Sequence, residues 1–276
     1  MLWTSAGAAL ASAIPAAAAR PGFRIGSMDG VLKMVGNPEA FALAAKLGLE
    51  GVEVNLRRNG KEEALILSDP AMQEKYKAAS KAARVPVAGV VLSVLHQNHF
   101  KSDKLALKWV HDGIKIAHNL KAGVLLLPFF GPAAIQNAQE RDHVADLLKD
   151  FGPEAKKAGV TLGVEDTISA EENARLLDRA GSKSIGVYYD VGNSTNIGGF
   201  DAPKEIRWLG RARICQMHLK DKGYLGEGKV NMPEVIKAMV EIGYRGWANL
   251  ETSSPSGKME DDVRRNLAYL RGLMKG

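Results

Sequence analysis

The run Lys157-Ala158-Gly159-Val160-Thr161-Leu162-Gly163-Val164-Glu165 passes from the end of a helix through a glycine into a short apolar strand that stops on a carboxylate. Glycine just past a helix adopts the left-handed conformation at little cost, so it ends the helix and turns the chain. Lys46-Leu47-Gly48 and Glu241-Ile242-Gly243 repeat the signal, each just upstream of another short apolar run. A recurring helix, glycine and strand implies repeated βα modules in one domain.

Working outward, apolar runs at 23–27, 51–55, 87–95, 123–128, 160–165, 185–190, 214–219 and 247–251 read as eight strands. Amphipathic stretches at 38–47, 72–83, 104–119, 133–158, 170–180, 203–209, 233–242 and 261–273 read as helices between and after them. Such alternation predicts a parallel sheet covered by helices, and the unbroken apolar strands fit burial on both faces. The chain has 276 residues, and a (β/α)8 barrel takes about 250. The fold expected is therefore α/β, a single-domain (β/α)8 TIM barrel over residues 20–276. An open doubly wound sheet is the alternative; no glycine-rich phosphate fingerprint follows the first strand, which disfavours its dinucleotide-binding form.

Composition excludes several classes of function. The single cysteine, Cys215, permits neither an intrachain disulfide nor a thiolate cluster. The net charge of +6 comes from lysines and arginines interleaved with acids. No basic block with interleaved aromatics suggests a nucleic-acid partner, and no run reads as a mature membrane span. Residues 1–19 are uncharged and rich in alanine, with small residues before a plausible cleavage point near Arg20. They read as a signal peptide without its basic region, or as a disordered tail, and export to the periplasm is favoured over a cytoplasmic location.

The last four strands carry the chemistry. They end on Glu165, Asp190, His218 and Glu251, spaced by 25, 28 and 33 residues, about one βα unit each. In a closed barrel these ends converge on the C-terminal rim, where barrel active sites lie. Singly, each acid reads as a loop cap and His218 as a rim histidine. Jointly, three carboxylates beside apolar strands would repel one another unless a cation neutralises them. Three oxygen donors and one imidazole suit Mn2+, Mg2+ or Co2+ better than a structural Zn2+, though Zn2+ stays open.

The segments Gly163-Val164-Glu165-Asp166-Thr167, Tyr189-Asp190-Val191-Gly192-Asn193, Met217-His218-Leu219-Lys220-Asp221, Gly226-Glu227-Gly228 and Asn249-Leu250-Glu251-Thr252 resemble the xylose isomerase-like TIM barrels, the sugar phosphate isomerase/epimerase superfamily. The early Gly48-Leu49-Glu50-Gly51-Val52-Glu53-Val54 fits as well. The resemblance implies that Glu165, Asp190, His218 and Glu251 bind one divalent metal ion, Mn2+ first. It also implies that Glu165 and Glu251 move protons next to a carbonyl of a small carbohydrate. The AP endonucleases of this fold carry further histidines, where this chain has Asn193 and Pro128-Phe129-Phe130; that argues against a nuclease. A homo-oligomer is open.

His96, Lys220, Asp221 and Glu227 are candidate substrate-binding residues, Glu53 a candidate support for a ligand, and Phe129-Phe130 a candidate pocket wall. His111, His118 and His143 fall in helical patterns and read as surface or helix-packing residues, and Trp109 and Trp208 read as packing residues rather than sugar platforms. The function expected is a metal-dependent sugar isomerase or epimerase. A metal-dependent lyase or dehydratase on a keto-sugar and a non-catalytic sugar-binding barrel are the alternatives.

Overall fold

The computed structural model describes residues 22–58, 60 and 63–275. The signal-peptide reading of residues 1–19 lies outside them. Eight parallel strands close in sequence order: β1 (Arg24–Met28), β2 (Gly51–Asn55), β3 (Val87–Val91), β4 (Val124–Pro128), β5 (Thr161–Glu165), β6 (Ile185–Asp190), β7 (Ile214–Leu219) and β8 (Trp247–Leu250), with β8 paired to β1. Eight longer helices follow the strands: α1 (Ala40–Leu47), α2 (Pro70–Ala83), α3 (Lys104–Asn119), α4 (Ala138–Ala158), α5 (Ala170–Ala180), α7 (Ala202–Arg213), α8 (Met232–Glu241) and α9 (Met259–Leu273). A single turn, α6 (Val191–Asn193), extends β6 at its rim. This is the (β/α)8 TIM barrel expected, and the open sheet is ruled out.

The strands alternate faces, as a period of two requires. Val52, Val54, Leu125, Leu127, Leu162, Val164, Leu219 and Leu250 join the large core between strands and helices. Val91, Val124, Leu126 and Tyr188 form a separate inner cluster with Met28 and Cys215. The expected cap glycines hold: Gly48 and Gly159 end α1 and α4 at φ of 80° and 67°.

Two boundary differences have a clear local cause. The apolar run 87–95 leaves the sheet after Val91, and Ser93–His96 forms a 3-10 turn. Val94 and Leu95 stay apolar because that turn is itself buried. Helix α4 begins at Ala138, five residues late, because the Asn137 side chain accepts from the Glu140 backbone N–H and sets the start there. No helix among the described residues is long and apolar enough to cross a membrane.

Candidate metal centre

Strands β5 and β6 end on Glu165 and Asp190, and His218 is the last residue but one of β7. Glu251 follows β8 directly, its N–H still donating to the Leu219 carbonyl of β7 at 3.2 Å. Each residue offers one ligand atom, and these atoms lie within 4.8 Å of one another. Asp190 and His218 are direct neighbours in the β6–β7 register. His218 Nδ1 faces the acids: Glu165 Oε1 at 2.8 Å, Glu251 Oε2 at 3.3 Å and Asp190 Oδ2 at 3.9 Å.

The other imidazole nitrogen is tied down. His218 Nε2 lies 2.7 Å from Glu53 Oε2, and both side chains are essentially fully buried. Donation from Nε2 to Glu53 fixes the ring so that Nδ1, which shares a proton with the acids, is the nitrogen that would turn its lone pair to a metal once that proton leaves; a carboxylate behind a ligating histidine is the usual way to orient it. Glu53 is held in turn by the Tyr188 hydroxyl at 2.7 Å and, more weakly, by the Gln216 amide at 3.5 Å. Asn249 donates to the Tyr188 hydroxyl at 3.1 Å. These side chains form a polar floor one layer below the ligands. Glycines on neighbouring strands make room for it: a Cβ on Gly26 would stand 2.2 Å from Asn249 Oδ1, and one on Gly89 would stand 2.9 Å from Gln216 Nε2.

The charges are strongly coupled. Burial raises the Glu165 pKa above the ordinary carboxylate value, against the pull of His218. Burial, then the neighbouring Glu251, pushes Asp190 up to about 6. Burial opposes a charge on His218, yet Glu165, Glu53 and Glu251 overcome it and hold its pKa well above the usual histidine range. Asp190 accepts from the Asn193 N–H through Oδ1 at 2.7 Å, while its buried Oδ2 accepts no hydrogen bond; Lys220 Nζ stands 3.0 Å from that oxygen as an ion pair. A crowded acidic set with a spare, inward carboxylate oxygen fits a divalent cation. Glu165, Asp190, His218 and Glu251 are the side chains that would hold it.

A cleft of about 300 Å³ opens above the cluster, lined by Glu165, His218, Lys220 and Glu251, with His96 and Phe130 on its wall. The His96 and Phe130 rings stack with centroids 6.1 Å apart, and burial lowers the His96 pKa, which favours the neutral imidazole. His96 and Lys220 therefore line the cleft. Asp221 and Glu227 do not line the cleft. Asp221 organises its own loop, accepting the Lys222 N–H at 2.8 Å and the Gly228 N–H at 3.1 Å. Glu227 pairs with Arg265 on the surface. Of the aromatic pair, Phe129 is buried against Phe100 and only Phe130 reaches the cleft. Trp109 is fully buried as expected, but Trp208 is 47% exposed, so its apolar spacing does not mark packing. Tyr188, Gln216, Asn249 and Asn55 escaped the sequence reading. Three of them stand two residues before a ligand, a strand period that would have placed them on the ligand face.

Asp29, just past β1, is buried, with one carboxylate oxygen accepting the Asn55 N–H at 3.0 Å and the other unpartnered. Burial pushes its pKa from 3.8 to about 7. The folded state thus binds a proton more tightly than the unfolded chain, so Asp29 lowers stability as pH rises from about 4 to about 7, and the penalty is complete above that. In chelator, Asp29→Asn is expected to narrow the stability difference between about pH 5 and pH 8 in urea unfolding. An unaltered difference would show that Asp29 is not buried as a strained acid.

Fold and site together define a barrel with a metal-capable centre at its C-terminal rim. The chain belongs to the xylose isomerase-like TIM barrel family, whose model matches residues 41–273. An uncharacterised protein of Methanocaldococcus jannaschii is 25% identical over 170 residues; the match takes in 55% of this chain and 58% of that protein, so the chain spans a little over half of its relative's length. Among solved structures, D-allulose 3-epimerase from Methylomonas sp. superposes with a TM-score of 0.71 at 18% identity, covering 92% of this chain and 99% of that one. The 3-keto-D-glucoside 4-epimerase of E. coli gives 0.72 at 17% identity, covering 91% and 99%. At such identities the likeness establishes the fold.

Proposed function

We propose that this protein is a divalent-metal-dependent isomerase or epimerase of a free sugar or keto-sugar, working by proton removal next to a carbonyl. The observation that carries the reading is the convergence of Glu165, Asp190, His218 and Glu251 at the floor of an open cleft, with His218 fixed from behind by Glu53. The solved structures of like fold are named as sugar epimerases, which agrees with it. A divalent cation held there would polarise a substrate carbonyl and stabilise the negative charge left when a neighbouring C–H proton departs. Mn2+ is the metal we assign first, on the oxygen-rich donor set.

The protein's own groups do the rest. Glu251 is partly exposed and Glu165 is buried, and both line the cleft. Glu251 removes the proton, and Glu165 holds the one returned from the other side of the substrate. His96 and Phe130 present a flat wall against which a sugar ring can lie. Lys220 reaches substrate oxygens. The intact proton-moving pair favours catalysis over a silent sugar-binding barrel.

The test is C–H exchange. Mn2+-loaded protein with a panel of ketoses and 3-keto-glycosides in D2O is expected to place deuterium next to the carbonyl, read by NMR. Products of unchanged mass establish isomerisation; loss of water or of a glycosyl group would replace it with the lyase reading. Binding without exchange across the panel would overturn the enzyme reading for those substrates.

A further inference from the structure

We propose that Lys220 is a resident cation that neutralises the ligand set before a metal arrives, and that metal binding must displace its ammonium from Asp190 and Glu251. The inference rests on the reading of the site as a metal centre and adds a role for one side chain within it. Lys220 Nζ lies 2.7 Å from Glu251 Oε2 and 3.0 Å from Asp190 Oδ2. These are the oxygens that also face His218 Nδ1, at 3.3 and 3.9 Å. The ammonium therefore stands on the ligand side of the carboxylates. Among the described residues, no other lysine or arginine is within ion-pair distance of Glu165, Asp190 or Glu251.

The surroundings aim the lysine there. A Cβ on Gly192 would stand 2.4 Å from Lys220 Cγ and 2.9 Å from its carbonyl oxygen, so the turn after Asp190 packs directly on the lysine stem. Its side chain is 25% exposed and lines the cleft, which leaves an outward path for the head group. Charge gives the reason to stay close after displacement. Three carboxylates and a dication leave one negative charge, which a nearby ammonium cancels. While it remains between Asp190 and Glu251, however, it repels an incoming cation and occupies oxygens the cation needs. A lysine that merely braced the ligands would have the opposite effect on affinity.

Mn2+ binding, followed by electron paramagnetic resonance and calorimetry, separates the two. Lys220→Met is expected to lower the Mn2+ dissociation constant about tenfold while making the metal-free protein melt earlier. Lys220→Arg, which keeps the charge, is expected to stay within about threefold of the wild type. Unchanged or weaker Mn2+ binding by Lys220→Met would overturn the proposal. If that variant folds only with Mn2+ present, release of Mn2+ to excess chelator is read instead: slower release than wild type supports the proposal and faster release overturns it. A wild-type protein that binds no Mn2+ would refute the metal centre itself, an outcome distinct from a lysine without effect.

Discussion

Metal-saturated Glu251→Gln is expected to lose about two to four orders of magnitude in C–H exchange and turnover while remaining folded. Glu251 sits just past the last strand with its backbone N–H on the β7 ladder, and its side chain is 31% exposed toward the cleft. The amide keeps the shape of the carboxylate but cannot take up a proton. Loss of one charged donor also weakens the metal, so the measurement is made at saturating Mn2+, with metal content checked beside the rate. Exchange within about tenfold of wild type would remove Glu251 from the chemistry and shift the proton-moving role to Glu165 or to a solvent molecule. Glu165→Gln gives the complementary test: a variant that exchanges the proton yet forms no epimer would place Glu165 on the returning side.

Glu53→Gln is expected to weaken Mn2+ binding by about ten- to a hundredfold, although Glu53 touches no ligand position of the metal. Its two oxygens serve His218 Nε2 at 2.7 Å and the Tyr188 hydroxyl at 2.7 Å, both in full burial. A glutamine has one acceptor oxygen and one donor amide. Either His218 loses its anchor or the Tyr188 hydroxyl must reverse, and Asn249 already donates to it. Glu53→Ala is expected to be harsher, costing about 3–5 kcal/mol of stability, because it strands the buried partners and opens a cavity. Titration with Mn2+ and urea unfolding read the two effects separately. Full Mn2+ affinity in a folded Glu53→Gln would mean that the protein orients His218 without this carboxylate.

The inner-layer residues show how far the chain could be read without its structure. Strand ends are visible because an apolar run that stops on Glu165, Asp190 or His218 changes polarity abruptly, and the spacing of one βα unit ties the four ligands to one rim. Glu53 lies in the middle of β2 and was visible only as the one carboxylate within an apolar run. Tyr188, Gln216 and Asn249 were not, since a polar residue inside a strand has no local signal of its partners. The contact between Tyr188 and Glu53 joins residues 135 apart in sequence. Asp221 and Glu227 mark the opposite limit. Their glycine-flanked loop suits close approach to a ligand, yet Asp221 is committed to backbone N–H groups and Glu227 to Arg265.

Periodicity, cap glycines and strand-terminal polarity are local properties of the chain, and they are enough to mark the eight βα units and the four side chains that meet at the rim. Barrel closure, the nitrogen of His218 that faces the acids, the lysine that stands beside them and the rim residues that reach the cleft emerge only in the folded chain. Those facts depend on the register between strands and the direction of individual side chains, which no local pattern encodes.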